Sequence, residues 1–248
     1  MALRSLGRRL AQHLAAPRDG YGHGPSSSPQ LLAATLRRGD VLLVEGTSRF
    51  AGAIKYLTQS TWSHAALCLG REQDGDGICL VDADVLDGVR VVPLSEFDGL
   101  HARICRPVGL SAAEIERVAG FMLTRIGDSY DLKNVFDLAR YLLRQPPLPD
   151  PLKRRILALG SGEPTRAICS TLLAQAFESV RYPILPEIEL LDTSTASGRR
   201  HQQEILHIRH YSLYTPRDFD VSPFFQVVKP RIEAGFDFRR LVWSKAGS

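Results

Sequence analysis

The chain lacks the paired residues that would staple it together or load it with metal. Its four cysteines, Cys68, Cys79, Cys105 and Cys169, form no C-x-x-C pair. Three of them lie in apolar, strand-like runs, where a free cysteine acts as a small hydrophobe. A disulfide scaffold is therefore not expected, and the usage suits a reducing compartment. No run of eighteen apolar residues occurs, which excludes a spanning helix, and the first residues lack the continuous apolar stretch of a secretory signal. Also missing are zinc-finger spacing, an RNP-like strand and a glycine-rich phosphate loop. Nucleic acid is not an expected partner, and neither a cofactor nor a metal is expected.

What is present suits one α+β domain. The 248 residues are 44% hydrophobic, enough for a substantial core. The net charge of +4 is carried by the two ends, each about +3. Leu3, Leu6, Leu10 and Leu14 recur at helical spacing beside Arg4, Arg8 and Arg9. Two readings fit residues 1–16: a cap helix or frayed tail, or an amphipathic segment resting on a membrane surface. The expected organisation is a basic segment and linker over 1–30, a catalytic body over 31–230 and a basic tail over 231–248. The expected location is cytoplasmic; the cap helix or tail is the favoured reading of residues 1–16, and peripheral membrane contact through them is the alternative.

Within the body, Val41–Val44, His64–Leu69, Ile78–Val81, Val89–Val92 and Ala102–Cys105 read as short strands. They follow one another too closely for βαβ crossovers, so an antiparallel, curved sheet is predicted. Ser48 is placed to cap a helix through Leu57, and Ser111 with Glu114 forms a capping box. Asp131 and Asp150 mark two further helix starts, and a last helix is predicted from Ile168 to Ser179. Ile205–Ile208 and Phe225–Val228 are read as a return to the sheet.

Three residues form a chemical kit. Cys169 falls in the first turn of the last helix, where free backbone N–H groups and the helix dipole favour a thiolate and can hold an oxyanion. The alternative for it is a buried structural cysteine. His64 opens a strand and shares a face with Ala66 and Cys68. If Leu69 faces Gly77 across the hairpin, His64 faces Asp82, whose carboxylate would hold the imidazole's tautomer. A slip of two residues would bring Asp84 there instead. Zinc is the competing use of such residues, with His64, Cys68, Asp82 and Cys169 as its ligands. His201, His207 and His210 form a looser cluster, with the last two close enough for metal only on a helix. Trp62, Ser63, Tyr130 and Ser170 are candidates to line the pocket.

Taken in order, these motifs resemble the permuted papain-like, NlpC/P60-related hydrolases of the YiiX/YebB type, and more distantly the lecithin:retinol acyltransferase group. The resemblance rests on Gly39-Asp40-Val41-Leu42-Leu43, Trp62-Ser63-His64-Ala65-Ala66, Val81-Asp82-Ala83 and Ile168-Cys169-Ser170. Tyr214-Thr215-Pro216-Arg217-Asp218 and Ser222-Pro223-Phe224-Phe225 extend it, so that it runs from about residue 36 to 230. It implies a circularly permuted papain-like fold, in which a curved antiparallel sheet packs against helices. It also implies a cysteine hydrolase, an amidase or peptidase acting on a peptide, ester or fatty-acyl compound, with Asp82 where relatives often carry Glu or His. Acyl transfer to a lipid substrate and a non-catalytic binding module that kept the cleft are the alternatives.

Overall fold

A computed structural model describes residues 23–71, 77–84, 87–128, 168–194, 200–207, 211 and 214–242. Six antiparallel strands form the main sheet, in the order β4-β3-β2-β1-β5-β8. They are β1 (Val41–Glu45), β2 (His64–Arg71), β3 (Ile78–Asp84), β4 (Gly88–Pro93), β5 (His101–Pro107) and β8 (Phe225–Val228). Between β5 and β8 in sequence, β6 (Glu187–Ser194) and β7 (Arg200–His207) pair only with each other. The helices are α1 (Pro29–Thr35), α2 (Arg49–Thr58), α3 (Ala112–Leu123), α4 (Ile168–Glu178), α5 (Pro216–Val221) and α6 (Pro230–Glu233).

The sheet is buried on both faces, which explains why β1 reads as an unbroken apolar run. On one face Val41, Leu43, Ala65, Leu67 and Val81 meet Val118 and Met122 of α3 and Leu172, Leu173 and Phe177 of α4. On the other, Leu42, Val44, Ala66, Cys68, Leu80 and Ile104 meet Leu32 and Leu36 from the α1 segment. Leu94 and Phe97, from a 3₁₀ helix over Leu94–Phe97, complete that layer. Burying one such aliphatic side chain is worth about 1.5–3 kcal/mol.

Local signals act where the sequence puts them. Ser48 Oγ accepts the Ala51 N–H at 3.0 Å, and Ser111 and Glu114 close a reciprocal capping box. At Gly39, φ is +88° and an added Cβ would lie 2.9 Å from Ile115, so only glycine fits between β1 and α3. The adjoining Asp40, 1% exposed, receives two 2.8 Å bonds from Arg106 and a third of the same length from the Arg37 N–H. The Gly39-Asp40 motif is thus a structural joint between β1, β5 and α1.

One expectation is corrected. Ile205–His207 does not rejoin the main sheet; it lies in β7, paired with β6. Only Phe225–Val228 returns, against β5. His201 and His207 lie on strand β7, and His210 is outside the described residues. The helix starts at Asp131 and Asp150, and residues 1–16, also fall outside them. Among the described residues, no helix is long and apolar enough to cross a membrane.

Candidate active site

Cys169 is the second residue of α4. It precedes Leu172 and Leu173 by three and four positions, so it starts the same apolar stripe that packs on the sheet. That stripe carries the sulfur inward, and the residue is 4% exposed. Beside it, Ser170 Oγ donates 2.8 Å to the Tyr214 carbonyl and ties the helix start to the segment that enters α5.

His64 is the first residue of β2. His64 interacts through hydrogen bonds and charge with both Asp82 and Cys169. Its Nε2 lies 2.5 Å from Asp82 Oδ1, which leaves Nδ1 as the nitrogen for the sulfur. Burial works against the imidazolium. The Asp82 charge, then the Cys169 sulfur, outweigh it and raise the His64 pKa well above the ordinary histidine value. Asp82, 3% exposed, is the reciprocal case. Burial pushes its carboxyl up, but His64 and then Arg90 hold it below the usual aspartate value.

The route by which Asp82 reaches His64 differs from the predicted one. Cys68 pairs with Leu80 and Leu67 with Val81, two positions away from the register that sets Leu69 against Gly77. At the turn end Gly70 pairs with Cys79, three positions from that register, and a one-residue irregularity between Cys68 and Gly70, with Gly70 at φ +87°, reduces the difference to two. Continued past its last pair, this ladder would bring Asp84 level with His64 and Asp82 level with Ala66. Asp82 nonetheless makes the bond, reaching diagonally along the shared face. Asp84 Oδ1 instead accepts the Asp87 N–H at 3.2 Å in the turn.

The residues predicted to line the pocket are built into the framework. Trp62, 3% exposed, donates Nε1–H to Asp220 at 2.9 Å and stacks on His101 with centroids 5.2 Å apart. Arg103 donates to the other Asp220 oxygen at 2.6 Å and lies over the Trp62 ring. Ser63 Oγ accepts the Gly46 N–H at 2.8 Å. Ser170 is fully buried, and Tyr130 falls outside the described residues. These contacts brace the two positions before His64 and the one after Cys169.

Sequence reasoning missed Arg90, Glu96 and Phe97. Arg90 is the cross-strand partner of Asp82, and Phe97 sets its ring 6.1 Å from the imidazole. Their signal was the β4 register, readable only once β3–β4 pairing is assumed. The zinc alternative loses one ligand: Cys68 is fully buried in the α1-side core, and burial pushes its thiol up to about 12. Among the described residues, no three His, Cys, Asp or Glu side chains gather in a metal-holding group. All four cysteines are free thiols.

Residues 35–141 match the model of the permuted papain-like amidase family, YaeF/YiiX, C92. The amidase match, to a class of hydrolases, contains His64 and Asp82; Cys169 lies beyond it. The mixed helix-and-strand architecture, with its six-stranded antiparallel sheet, is consistent with the permuted papain-like fold of that family. A solved structure described as the metalloprotein yiiX from Escherichia coli O157:H7, DUF1105, is similar at 15% identity and a TM-score of 0.46. It covers 77% of this chain and 96% of that one. No curated protein matches the chain.

Proposed function

We propose that the protein is a thiol-dependent amidase or related acyl hydrolase, with Cys169 as nucleophile, His64 as base and Asp82 as the group that orients the base. The observation that carries this reading is the imidazole shared between a buried carboxylate and the helix-start sulfur.

In the proposed reaction, the Cys169 proton passes to His64 Nδ1 and the sulfur attacks the substrate carbonyl carbon. The oxygen gains negative charge, and the Cys169 backbone N–H, in the first turn of α4, supports it. The carbonyl re-forms, the C–N or C–O bond breaks, and the leaving group takes the proton from His64. Water, deprotonated by the same ring, then cleaves the thioester and regenerates the thiol. Asp82 stays ionised and holds Nε2–H throughout. The substrate class is a peptide amide, an ester or a fatty-acyl amide.

The test is the pH dependence of Cys169 alkylation by iodoacetamide, located by peptide mass, together with turnover of a panel of acyl anilides and thioesters. The wild type is expected to react faster than His64→Ala below neutral pH, and Cys169→Ala should abolish turnover. Alkylation rates that His64→Ala leaves unchanged across the pH range would sink the enzyme reading.

A further inference from the structure

Asp82 has two carboxylate oxygens, and only Oδ1 faces His64. Oδ2 lies 3.5 Å from Arg90 Nη2. Arg90 stands directly across the β3–β4 ladder from Asp82, so a rigid register sets this contact. The guanidinium is gripped in turn by Glu96, with Nη1 to Oε1 at 3.2 Å and Nη2 to Oε2 at 2.8 Å. Such a two-point fork fixes the plane of the guanidinium as well as its position. Glu96 belongs to the same 3₁₀ helix as Phe97, whose ring packs near the imidazole. One stretch, residues 88–97, therefore touches the acid through its strand and the base through its 3₁₀ turn.

We infer that Arg90, held by Glu96, is a positioning residue for the reaction, an inference that rests on the reading of Cys169, His64 and Asp82 as the reacting set. Arg90 fixes the rotation of the Asp82 carboxylate, keeping Oδ1 on Nε2, and favours its ionised form. Its favourable effect passes through Asp82, and the Asp84 charge also bears on the guanidinium. Glu96 serves a second purpose: its charge offsets the guanidinium, so the cation steadies Asp82 with less repulsion of the His64 imidazolium beyond it. Lysine would supply the charge but not the planar fork. Arg90 is about a third exposed, so solvent screens its pull, and the expected effect is a tuning of the site rather than its loss.

The experiment is the pH profile of Cys169 alkylation by iodoacetamide in the full chain, for wild type, Arg90→Met, Arg90→Lys and Glu96→Gln, with folding followed by circular dichroism. Without Arg90, Asp82 takes up a proton at higher pH. The imidazolium then loses its partner, and the thiolate loses the imidazolium. Arg90→Met is expected to move the acid limb up by about half a pH unit or more, and to slow alkylation at pH 5 by about 3–10-fold. Arg90→Lys and Glu96→Gln should move the limb the same way by less. A residue with only a structural role would lower the melting temperature and leave the limb in place. An Arg90→Met profile superimposable on wild type overturns the inference. If Arg90→Met does not fold, unchanged profiles for the other two variants overturn it equally. Alkylation rates that His64→Ala leaves unchanged overturn the reacting set itself, a failure visible before any Arg90 variant is compared.

Discussion

Replacing Asp82 by Asn keeps the side chain's shape and removes its charge. The 2.5 Å contact to His64 Nε2 is a charge-assisted hydrogen bond, between groups 5% and 24% exposed. Such a bond is worth about 1.5–3 kcal/mol, against about 1 kcal/mol for its neutral counterpart. The difference, about 0.5–2 kcal/mol, corresponds to a loss of about 2–30-fold in turnover at 1.36 kcal/mol per decade. The pH dependence carries the sharper signature. The Asp82 charge is the largest of the influences that raise the His64 pKa, so the alkaline limb of turnover, which needs the imidazolium to protonate the leaving group, should fall toward the ordinary histidine range of about 6.5. Stability should follow the same logic. His64 has a raised folded pKa, so its contribution is complete below about pH 6.5 and is lost as pH rises through the folded value. The Asp82 carboxyl is held low, so its contribution is present above about pH 4 and is lost as pH falls through its folded value. Asp82→Asn should therefore shift the urea midpoint most between about pH 4 and 6.5, and least in strong alkali. An alkaline limb that stays in place after the substitution would refute the claim that Asp82 sustains the imidazolium.

Three further outcomes are expected. Arg106→Met leaves the buried Asp40 carboxylate without its two strongest donors and should cost about 3–5 kcal/mol in urea unfolding; a loss below about 1 kcal/mol would contradict that account. Gly46→Ala places a Cβ 2.8 Å from Ala51 and 3.0 Å from Ser63 Oγ, and should lower stability by about 1–3 kcal/mol by thermal melting, with slower Cys169 alkylation because Ser63 precedes His64. In the folded protein at pH 8, iodoacetamide should leave Cys68 and Cys105 unmodified, since burial raises both thiols; peptide mass mapping that finds either labelled along with Cys169 would argue against the core assignment.

The strands of the first half were legible because their runs are short, apolar and separated by polar turns. The capping box at Ser111 was legible because its two residues lie three apart in sequence. His64 and Asp82 could be paired because β2 and β3 share a hairpin, which makes the contact nearly local. Yet the predicted register slipped by two positions. The offset is set at the turn end, where Gly70 pairs with Cys79, and the irregularity beside Gly70 takes back one position of it; neither is encoded in composition, and a diagonal reach still joins Asp82 to His64. Strands β6 and β7 were missed or misplaced because their apolar residues are sparse, and nothing in Ile205–Leu206 says which sheet they join. The roles of Trp62, Ser63 and Ser170 were illegible for a different reason. Their partners, Asp220, Gly46 and Tyr214, lie up to 158 positions away, and tertiary structure alone brings them together.

Base and acid sit eighteen positions apart on neighbouring strands, while the sulfur belongs to a helix that begins far later in the chain. During synthesis the hairpin leaves the ribosome first, and its future partner follows after roughly 5–20 s of further translation. The growing polypeptide therefore holds an imidazole with no thiol to activate. Under the proposed mechanism reactivity arises only when α4 docks, so a chain ended before α4 is expected to be inert.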